Sequence, residues 1–328
     1  MLIRPNDPRL TWQGIVSLQK KDGWVKPWRI QHDQIGLFPE DILLHAAEPA
    51  GGRISFQTDA TSLAGHIVPE GELGLLDLRC DGALIGTVDL TETPRFQFNN
   101  LPSGMKLVEL WLPAYGPIRV HSLELPDESA LAPFSDTRPR WLAYGSSITQ
   151  SGAAKSPSHT WPSIVARERG LNLTCLGYCG QCHLDPIMAR MIRDLKADFI
   201  SICAGINIYG QNTFSPVTFQ QALIGFVLTI RDKHPGTPMV VTSPIYCAPR
   251  ETTSNAVGLN LIMMREEIAS AVDKLKSHGD NNLHYVNGLN IFGPDLSQYM
   301  PDQVHPNSEG YKLLARNYLD TVIAQVFP

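Results

Sequence analysis

The sequence of 328 residues lacks the features that are typical of nucleic-acid-binding, membrane-spanning and exported proteins. Its formal net charge is -5 and it contains no cluster of basic residues, which argues against a nucleic acid or an anionic membrane surface as a partner. No segment approaches the roughly 18 consecutive apolar residues that a membrane-spanning helix needs. The first residues contain no apolar stretch of signal-peptide length, so we expect a cytoplasmic location unless a leader has been removed from a longer precursor.

Cysteine is scarce as well. The six Cys residues are scattered, mostly within apolar segments, which is typical of buried, reduced thiols rather than of a disulfide framework. One stretch does concentrate potential metal ligands, namely Cys175, Cys179, Cys182 and His183. Zinc sites usually join two ligand pairs across a longer span, and no second pair follows here. We therefore expect no metal site in this stretch.

The N-terminal part of the sequence has the pattern of a β domain. From Arg9 to about Leu125, short apolar or alternating segments are separated by turn residues. Leu75–Cys80 and Leu84–Leu90, for example, flank Asp81-Gly82, a dipeptide that is typical of hairpin turns. About ten such segments, with no convincing helical pattern among them, predict an antiparallel β-sandwich or jelly-roll domain.

The polar, proline-rich segment from Pro126 to Pro139 precedes a change of pattern, and a chain of this length favours two domains. We expect an accessory domain over residues 1–133 and a catalytic domain over residues 134–328. In the second region strands alternate with helices, which predicts a flavodoxin-like α/β/α fold with a five-stranded parallel sheet. The predicted strands are Trp141–Tyr144, Leu171–Tyr178, Asp198–Ala204, Met239–Ser243 and Leu283–Val286. The predicted helices are Pro162–Arg169, Pro186–Leu195, Val217–Lys233, Asn255–Ser277 and Ser308–Val326.

Residues that could take part in catalysis follow several of these strands. Ser147 stands in a tight turn after the first strand, at the sheet edge where open α/β folds build their sites. Such a serine needs a base, and Asp302 stands three residues before His305 on a proline-bounded loop, where it can orient that histidine. Gly180 and Asn207 follow the second and third strands and could donate hydrogen bonds to an oxyanion. Each feature alone is compatible with an ordinary turn or loop, but together they indicate nucleophilic catalysis.

The order of these residues resembles the SGNH hydrolase superfamily, also called GDSL-type esterases. Those enzymes carry Gly-Asp-Ser, then Gly, then Gly-x-Asn-Asp, then Asp-x-x-His on a flavodoxin-like sheet. The resemblance extends from Trp141 to the C-terminus and depends on order and spacing rather than on one motif. It implies a role for each site residue: Ser147 as nucleophile, His305 as general base and acid, Asp302 as the residue that orients it, and Gly180, Asn207 and the Ser147 N–H as the oxyanion hole.

Two positions depart from the superfamily pattern. Ser146 stands where aspartate is usual, and Ile208 stands where Asn-Asp is usual. Neither missing aspartate transfers a proton, so the implied chemistry is unaffected. These departures, together with Thr160-Trp161-Pro162, resemble the branch with an N-terminal β-sandwich. That branch includes carbohydrate esterases and a polyketide-tailoring acyltransferase.

The resemblance implies a serine esterase that cleaves a small acyl ester of a sugar or polyol through an acyl-enzyme, without a metal or organic cofactor. An acyltransferase with the same triad and a non-catalytic carbohydrate-binding protein remain alternatives, and the oligomeric state is open. Ser146, Trp161 and Arg250 are candidate substrate contacts. For Trp161 the alternative is core packing, and for Arg250 it is an ion pair with Glu251 or Glu266.

Overall fold

The computed structural model describes residues 1–70, 74–91 and 93–326. The chain divides into two compact units. One comprises Met1–Arg138, Lys155–Ser163 and Asn172–Cys175, and the other comprises Pro139–Ala154, Ile164–Leu171 and Leu176–Pro328. The domain boundary between residues 133 and 134 stays a prediction. Within the described part of the chain, none of the helices combines the length and apolar character that crossing a membrane requires.

The first unit contains two antiparallel sheets, which confirms the predicted sandwich. The strands are β1 (Leu2–Ile3), β2 (Thr11–Gln13), β3 (Ser17–Lys21), β4 (Trp24–Trp28), β5 (Arg53–Thr58), β6 (Leu63–Pro69), β7 (Leu75–Cys80), β8 (Ala83–Asp89), β9 (Arg95–Phe98), β10 (Lys106–Trp111), β11 (Ile118–Glu124) and β12 (Leu131–Pro133). One sheet has the order β3-β4-β11-β6-β9, with β1 paired to β11. The other has the order β12-β5-β10-β7-β8, with β2 paired to β5.

Apolar side chains from both sheets form one core in this unit. Ile67 and Val120 from one sheet and Ile54 and Val108 from the other are fully buried in the same cluster. The predicted hairpin at Asp81-Gly82 joins β7 to β8, and both of its central residues have positive φ (45° and 82°). Positive φ at both positions matches the right-handed twist of the flanking strands.

One helix in this unit was not expected from the sequence. α1 (Glu40–Ala47) buries Ile42, Ala46 and Ala47, and its first turn carries two acidic residues. Negative charge at this end is favourable because unpaired N–H groups concentrate positive charge there. The sequence shows no convincing helical pattern here, because about two turns are too short to establish a helical period.

The C-terminal sheet has five parallel strands in the order β14-β13-β15-β16-β17, as predicted for a flavodoxin-like fold. This order reverses the winding direction next to β13, and ligand sites in such sheets lie outside the carboxyl ends of the strands at that point. The strands are β13 (Arg140–Gly145), β14 (Asn172–Gly177), β15 (Phe199–Cys203), β16 (Met239–Thr242) and β17 (Leu283–Val286).

The five predicted helices of this region are present. The start of α7 differs from the prediction of about Asn255, because the side chain of Asn260 accepts the N–H of Met263 at 2.9 Å and caps the helix. Two short helices, α2 and α5, were not predicted, and both follow strands directly. The helices are α2 (Ser147–Gln150), α3 (Trp161–Glu168), α4 (Pro186–Asp194), α5 (Ile206–Gly210), α6 (Pro216–Arg231), α7 (Leu261–Ser277) and α8 (Ser308–Tyr318), which continues through a π turn to Val326.

Candidate active site

Ser147 is the first residue of α2, immediately beyond the carboxyl end of β13. The turn is tight, because a Cβ at Gly145 would collide with Thr149 Oγ1. The hydroxyl of Ser146 accepts the N–H of Ile148 at 3.2 Å and so caps the short helix. This strand-turn-helix geometry places the Ser147 hydroxyl at the edge of the sheet.

Ser147, His305 and Asp302 are joined by hydrogen bonds although Ser147 and His305 are far apart in the sequence. Ser147 Oγ lies 2.8 Å from His305 Nε2, and His305 Nδ1 lies 2.6 Å from Asp302 Oδ2. The second oxygen of Asp302 accepts the N–H groups of Val304 at 3.0 Å and His305 at 2.7 Å. Gln303 has a φ of +62°, and this left-handed residue closes the turn between the aspartate and the histidine.

The electrostatics of the loop favour an ionised Asp302. Partial burial would raise the pKa of Asp302, but hydrogen bonds from His305 and Val304 outweigh burial and lower the pKa to about 2. The carboxylate therefore accepts the Nδ1–H of His305 at neutral pH. In that tautomer Nε2 is the basic nitrogen, and it can accept the proton of Ser147.

Gly180 and Asn207 are tied together by neighbouring residues. The amide oxygen of Asn207 accepts the N–H of Cys182 at 3.1 Å, so the oxygen end of this amide faces Cys182. Gln211 joins the two candidate donors, because its side-chain amide donates to Gly180 O at 2.7 Å and its backbone N–H donates to Asn207 O at 2.9 Å. Gly180 itself has a φ of +70°.

The loop that carries Gly180 is also bonded to the turn that carries Ser147. Tyr178 N donates to Gly145 O at 2.9 Å, and Cys179 N donates to the side-chain oxygen of Gln150 at 3.1 Å. Hydrogen bonds thus connect the ends of β13, β14 and β15. Sequence reasoning missed Gln150, and its position one helical turn after the candidate nucleophile was the available signal.

Cys182, one of the crowded cysteines near this loop, is a packing residue. Cys182 is buried, and its thiol donates weakly to Cys203 O at 3.6 Å. Burial raises the pKa of the Cys182 thiol well above its usual range, which opposes the thiolate that metal binding and redox exchange require. Among residues 1–70, 74–91 and 93–326, no group of three or more His, Cys, Asp or Glu side chains is arranged to hold a metal ion.

The three candidate substrate contacts differ in setting. The hydroxyl of Ser146 caps α2, and Trp161 is only 2% exposed at the start of α3. Arg250 ends a 3₁₀ turn (Ala248–Arg250), and its guanidinium lies over the ring of Tyr209 at 5.3 Å. Substrate contact by these residues stays a prediction.

The alternative role for Arg250, an ion pair with Glu251 or Glu266, is wrong. Glu251 is instead held by two hydrogen bonds from the guanidinium of Arg265, each 2.7 Å long. Across the described part of the chain, no acidic side chain lies within ion-pair distance of Arg250.

Known proteins resemble both parts of the chain. The sequence profile of the GDSL-like lipase/acylhydrolase family matches residues 139–324, and that of the SsfX3 N-terminal domain matches residues 10–121. The structure of the salicylyl-acyltransferase SsfX3, from a tetracycline biosynthetic pathway, has a TM-score of 0.91 and 35% identity, covering 99% of this chain and 97% of that one. No curated protein matches the sequence significantly.

Two more distant structures share the fold. A candidate GDSL-like lipase from Bacteroides ovatus has a TM-score of 0.82 and 22% identity over 99% of this chain and 97% of its own. A family two carbohydrate esterase from Clostridium thermocellum, in complex with cellohexaose, has a TM-score of 0.69 and 15% identity over 96% and 98%. Both identities are low, so these two similarities describe architecture only.

Proposed function

The chain belongs to the GDSL-like lipase/acylhydrolase family, and we propose that within it the protein is a serine esterase that removes a small acyl group from a sugar or polyol. The observation that carries this proposal is the chain of hydrogen bonds from Ser147 through His305 to Asp302. A hydroxyl, an imidazole and a carboxylate in this order can generate a nucleophile at neutral pH. Acetyl or another short acyl group is the proposed acyl part of the ester.

In the first half of the reaction, Ser147 Oγ attacks the ester carbonyl carbon while His305 Nε2 takes the hydroxyl proton. Asp302 stabilises the imidazolium that forms. The oxyanion accepts hydrogen bonds from the N–H groups of Ser147 and Gly180 and from the NH₂ of Asn207. His305 then returns the proton to the leaving alkoxide as the carbon–oxygen bond breaks, which leaves the acyl group on Ser147.

In the second half, a water molecule takes the place of the alcohol. His305 removes a proton from the water as it attacks the acyl carbon, and the same donors stabilise the second oxyanion. Collapse of this intermediate returns the proton to Ser147 and releases the carboxylic acid. The cycle uses groups of this chain alone.

The choice of a sugar or polyol as the alcohol follows the sequence resemblance to the branch that includes carbohydrate esterases, and one such esterase, solved with cellohexaose, shares the architecture of this chain. A second function, acyl transfer, is favoured by the 35% identity with the salicylyl-acyltransferase SsfX3 over nearly the whole chain. Both functions pass through the same acyl-enzyme, and they differ in whether water or an alcohol attacks it.

Active-site labelling tests whether the protein is an enzyme of this kind. A fluorophosphonate probe should label wild-type protein rapidly and should not label Ser147→Ala. Sugar binding without labelling would instead favour a non-catalytic carbohydrate-binding protein.

A second experiment separates hydrolysis from acyl transfer. With a radiolabelled acetyl ester and an excess of polyol, a hydrolase releases mainly free acetate. Mainly acetylated polyol would identify a transferase.

A further inference from the structure

We propose that Arg250 is a specificity residue that binds a carboxylate carried by the ester substrate. This inference deepens the proposed function and rests on it. The substrate class is thereby narrowed to acyl esters with an anionic group, placed either on the acyl chain or on the sugar.

The guanidinium of Arg250 is held in place but its charge is not neutralised. Its side chain is half-buried and lies over the ring of Tyr209 at 5.3 Å, within the range of a cation–π contact. The Tyr209 hydroxyl donates to Thr253 O at 3.1 Å, which fixes the ring. Neither of these contacts supplies negative charge, and no described acidic side chain pairs with Arg250.

Hydrogen bonds hold the turn beneath Arg250. The two 2.7 Å hydrogen bonds from Arg265 occupy both carboxylate oxygens of Glu251, and one of these oxygens also accepts the N–H of Cys247 at 3.0 Å. Arg265 is 6% exposed and donates further to the carbonyl oxygen of Pro244 at 2.9 Å. Both carboxylate oxygens of Glu251, the acidic neighbour of Arg250, therefore already accept hydrogen bonds from other residues of the turn and its surroundings.

Two observations place Arg250 beside the candidate active site. Tyr209 belongs to α5, the helix that carries Asn207, and a Cβ at Gly210 of this helix would lie 3.7 Å from an Arg250 amino nitrogen. The guanidinium of Arg250 thus adjoins the helix that carries Asn207.

The chemistry of guanidinium selects the ligand. Its planar array of N–H donors matches the two oxygens of a carboxylate, and such charge-assisted pairs are stronger than neutral hydrogen bonds. Lysine cannot reproduce this bidentate geometry. The carboxylate has two chemical sources: a dicarboxylic acyl group such as succinyl, or the acid group of an acetylated uronic acid.

The kinetic test compares matched esters. p-Nitrophenyl propionate and p-nitrophenyl hemisuccinate differ by a carboxylate on the acyl group. An acetylated uronic acid and its methyl ester differ by a carboxylate on the sugar. Arg250→Gln should lower kcat/KM for one of the two acidic esters by roughly 10-fold, leave the neutral esters unchanged, and thereby identify the source. Arg250→Lys should recover only part of the loss.

A control arginine tests whether net charge alone produces the effect. Arg190 is solvent-exposed on α4, and Arg190→Gln removes the same charge as Arg250→Gln. It should leave all four esters unchanged. An equal loss in both arginine variants, or an equal loss with acidic and neutral esters, would overturn the proposal.

A binding measurement separates this proposal from the proposed function. In the Ser147→Ala background, calorimetry with the hemisuccinate ester and with the acetylated uronic acid measures affinity without turnover. Addition of Arg250→Gln should weaken binding of one of them roughly 10-fold. Unchanged affinity for both refutes the role of Arg250, whereas absent turnover in the wild type with intact, Arg250-dependent binding refutes only the esterase.

Discussion

Each unit of the protein contains a cluster of serine, histidine and aspartate, and the hydrogen bonds within the two clusters are arranged differently. In the first unit, Ser156 Oγ lies 2.6 Å from Asp77 Oδ2 and 2.7 Å from His159 Nδ1, while the histidine lies 3.9 Å from that carboxylate. In the second unit, His305 lies between Ser147 and Asp302 and bonds to both. The same three side-chain types therefore form two different networks.

The order of the bonds decides what each cluster can do. Ser156 donates its proton directly to a carboxylate that is fully buried and also accepts from Thr87 Oγ1 at 2.6 Å and Ser158 N at 2.9 Å. Burial would raise the pKa of Asp77, but its hydrogen bonds hold the pKa well below its usual range. Such an arrangement stabilises structure. In the other cluster the serine proton is directed at a basic nitrogen, which is the arrangement that activates a nucleophile.

The largest expected effect is a loss of kcat, and it should distinguish the serines of the two clusters. Ser147→Ala or His305→Ala should lower kcat for p-nitrophenyl acetate by about 10⁶-fold, because the nucleophile or its base is lost. Ser156→Ala is the matched control and should retain turnover, since its hydroxyl serves a carboxylate rather than a substrate. Stopped-flow or long-incubation release of p-nitrophenol measures both. Wild-type rates in the Ser147 variant would contradict the assignment.

The next largest effect concerns the aspartates. Asp302→Asn should lower kcat by about 10⁴-fold, because the amide no longer holds His305 in the tautomer with a basic Nε2. Its thermal stability should change little, since the Asp302 side chain is 54% exposed.

Asp77→Asn should behave in the opposite way. The replacement leaves one of several buried donors without its acceptor, which costs about 1–3 kcal/mol in the free energy of unfolding. Thermal denaturation should show a lower Tm, while kcat of the folded protein stays near the wild-type value. A loss of kcat with unchanged Tm would assign Asp77 to catalysis and remove the contrast between the clusters.

A smaller effect is expected at Asn207. Removal of its NH₂ by Asn207→Ala should lower kcat roughly 10²–10³-fold, which is the usual consequence of losing one oxyanion donor. Gln211→Ala is the comparison, since Gln211 donates hydrogen bonds to Gly180 O and Asn207 O and is not assigned as a donor to the oxyanion. An Asn207 effect of only a few-fold would make this residue a structural part of the loop.

The two clusters also differ in how well they could be predicted from the sequence. Asp302 and His305 are close in the sequence and follow a pattern of strands whose apolar segments are nearly continuous, as in the fully buried Trp141 to Tyr144. The hydrogen bonds from His305 to Asp302 and to Ser147 could therefore be anticipated. Asp77 bonds to residues about eighty positions away that belong to no motif. Such a contact depends on the packing of the folded chain, and local patterns do not contain it.

The smallest expected effect is the acid dependence of stability at Asp302. Its pKa in the folded protein is about 2, compared with about 3.9 in an unfolded chain. The ionised carboxylate therefore stabilises the folded state fully above about pH 4, and this contribution is lost as the pH falls towards about 2. Solvent screening keeps the contribution small, because the side chain is more than half exposed.

Urea denaturation of wild type and Asp302→Asn across this pH range measures that contribution. The stability difference between the two proteins should be constant above about pH 4 and should shrink as the pH falls, because Asp302 then becomes protonated. Asp77→Asn provides the contrast: the pKa of Asp77 lies well below its usual range, so the stability difference it produces should persist to lower pH than that of Asp302→Asn. A difference for Asp302→Asn that does not vary with pH would mean that its hydrogen bonds to His305 do not depend on ionisation.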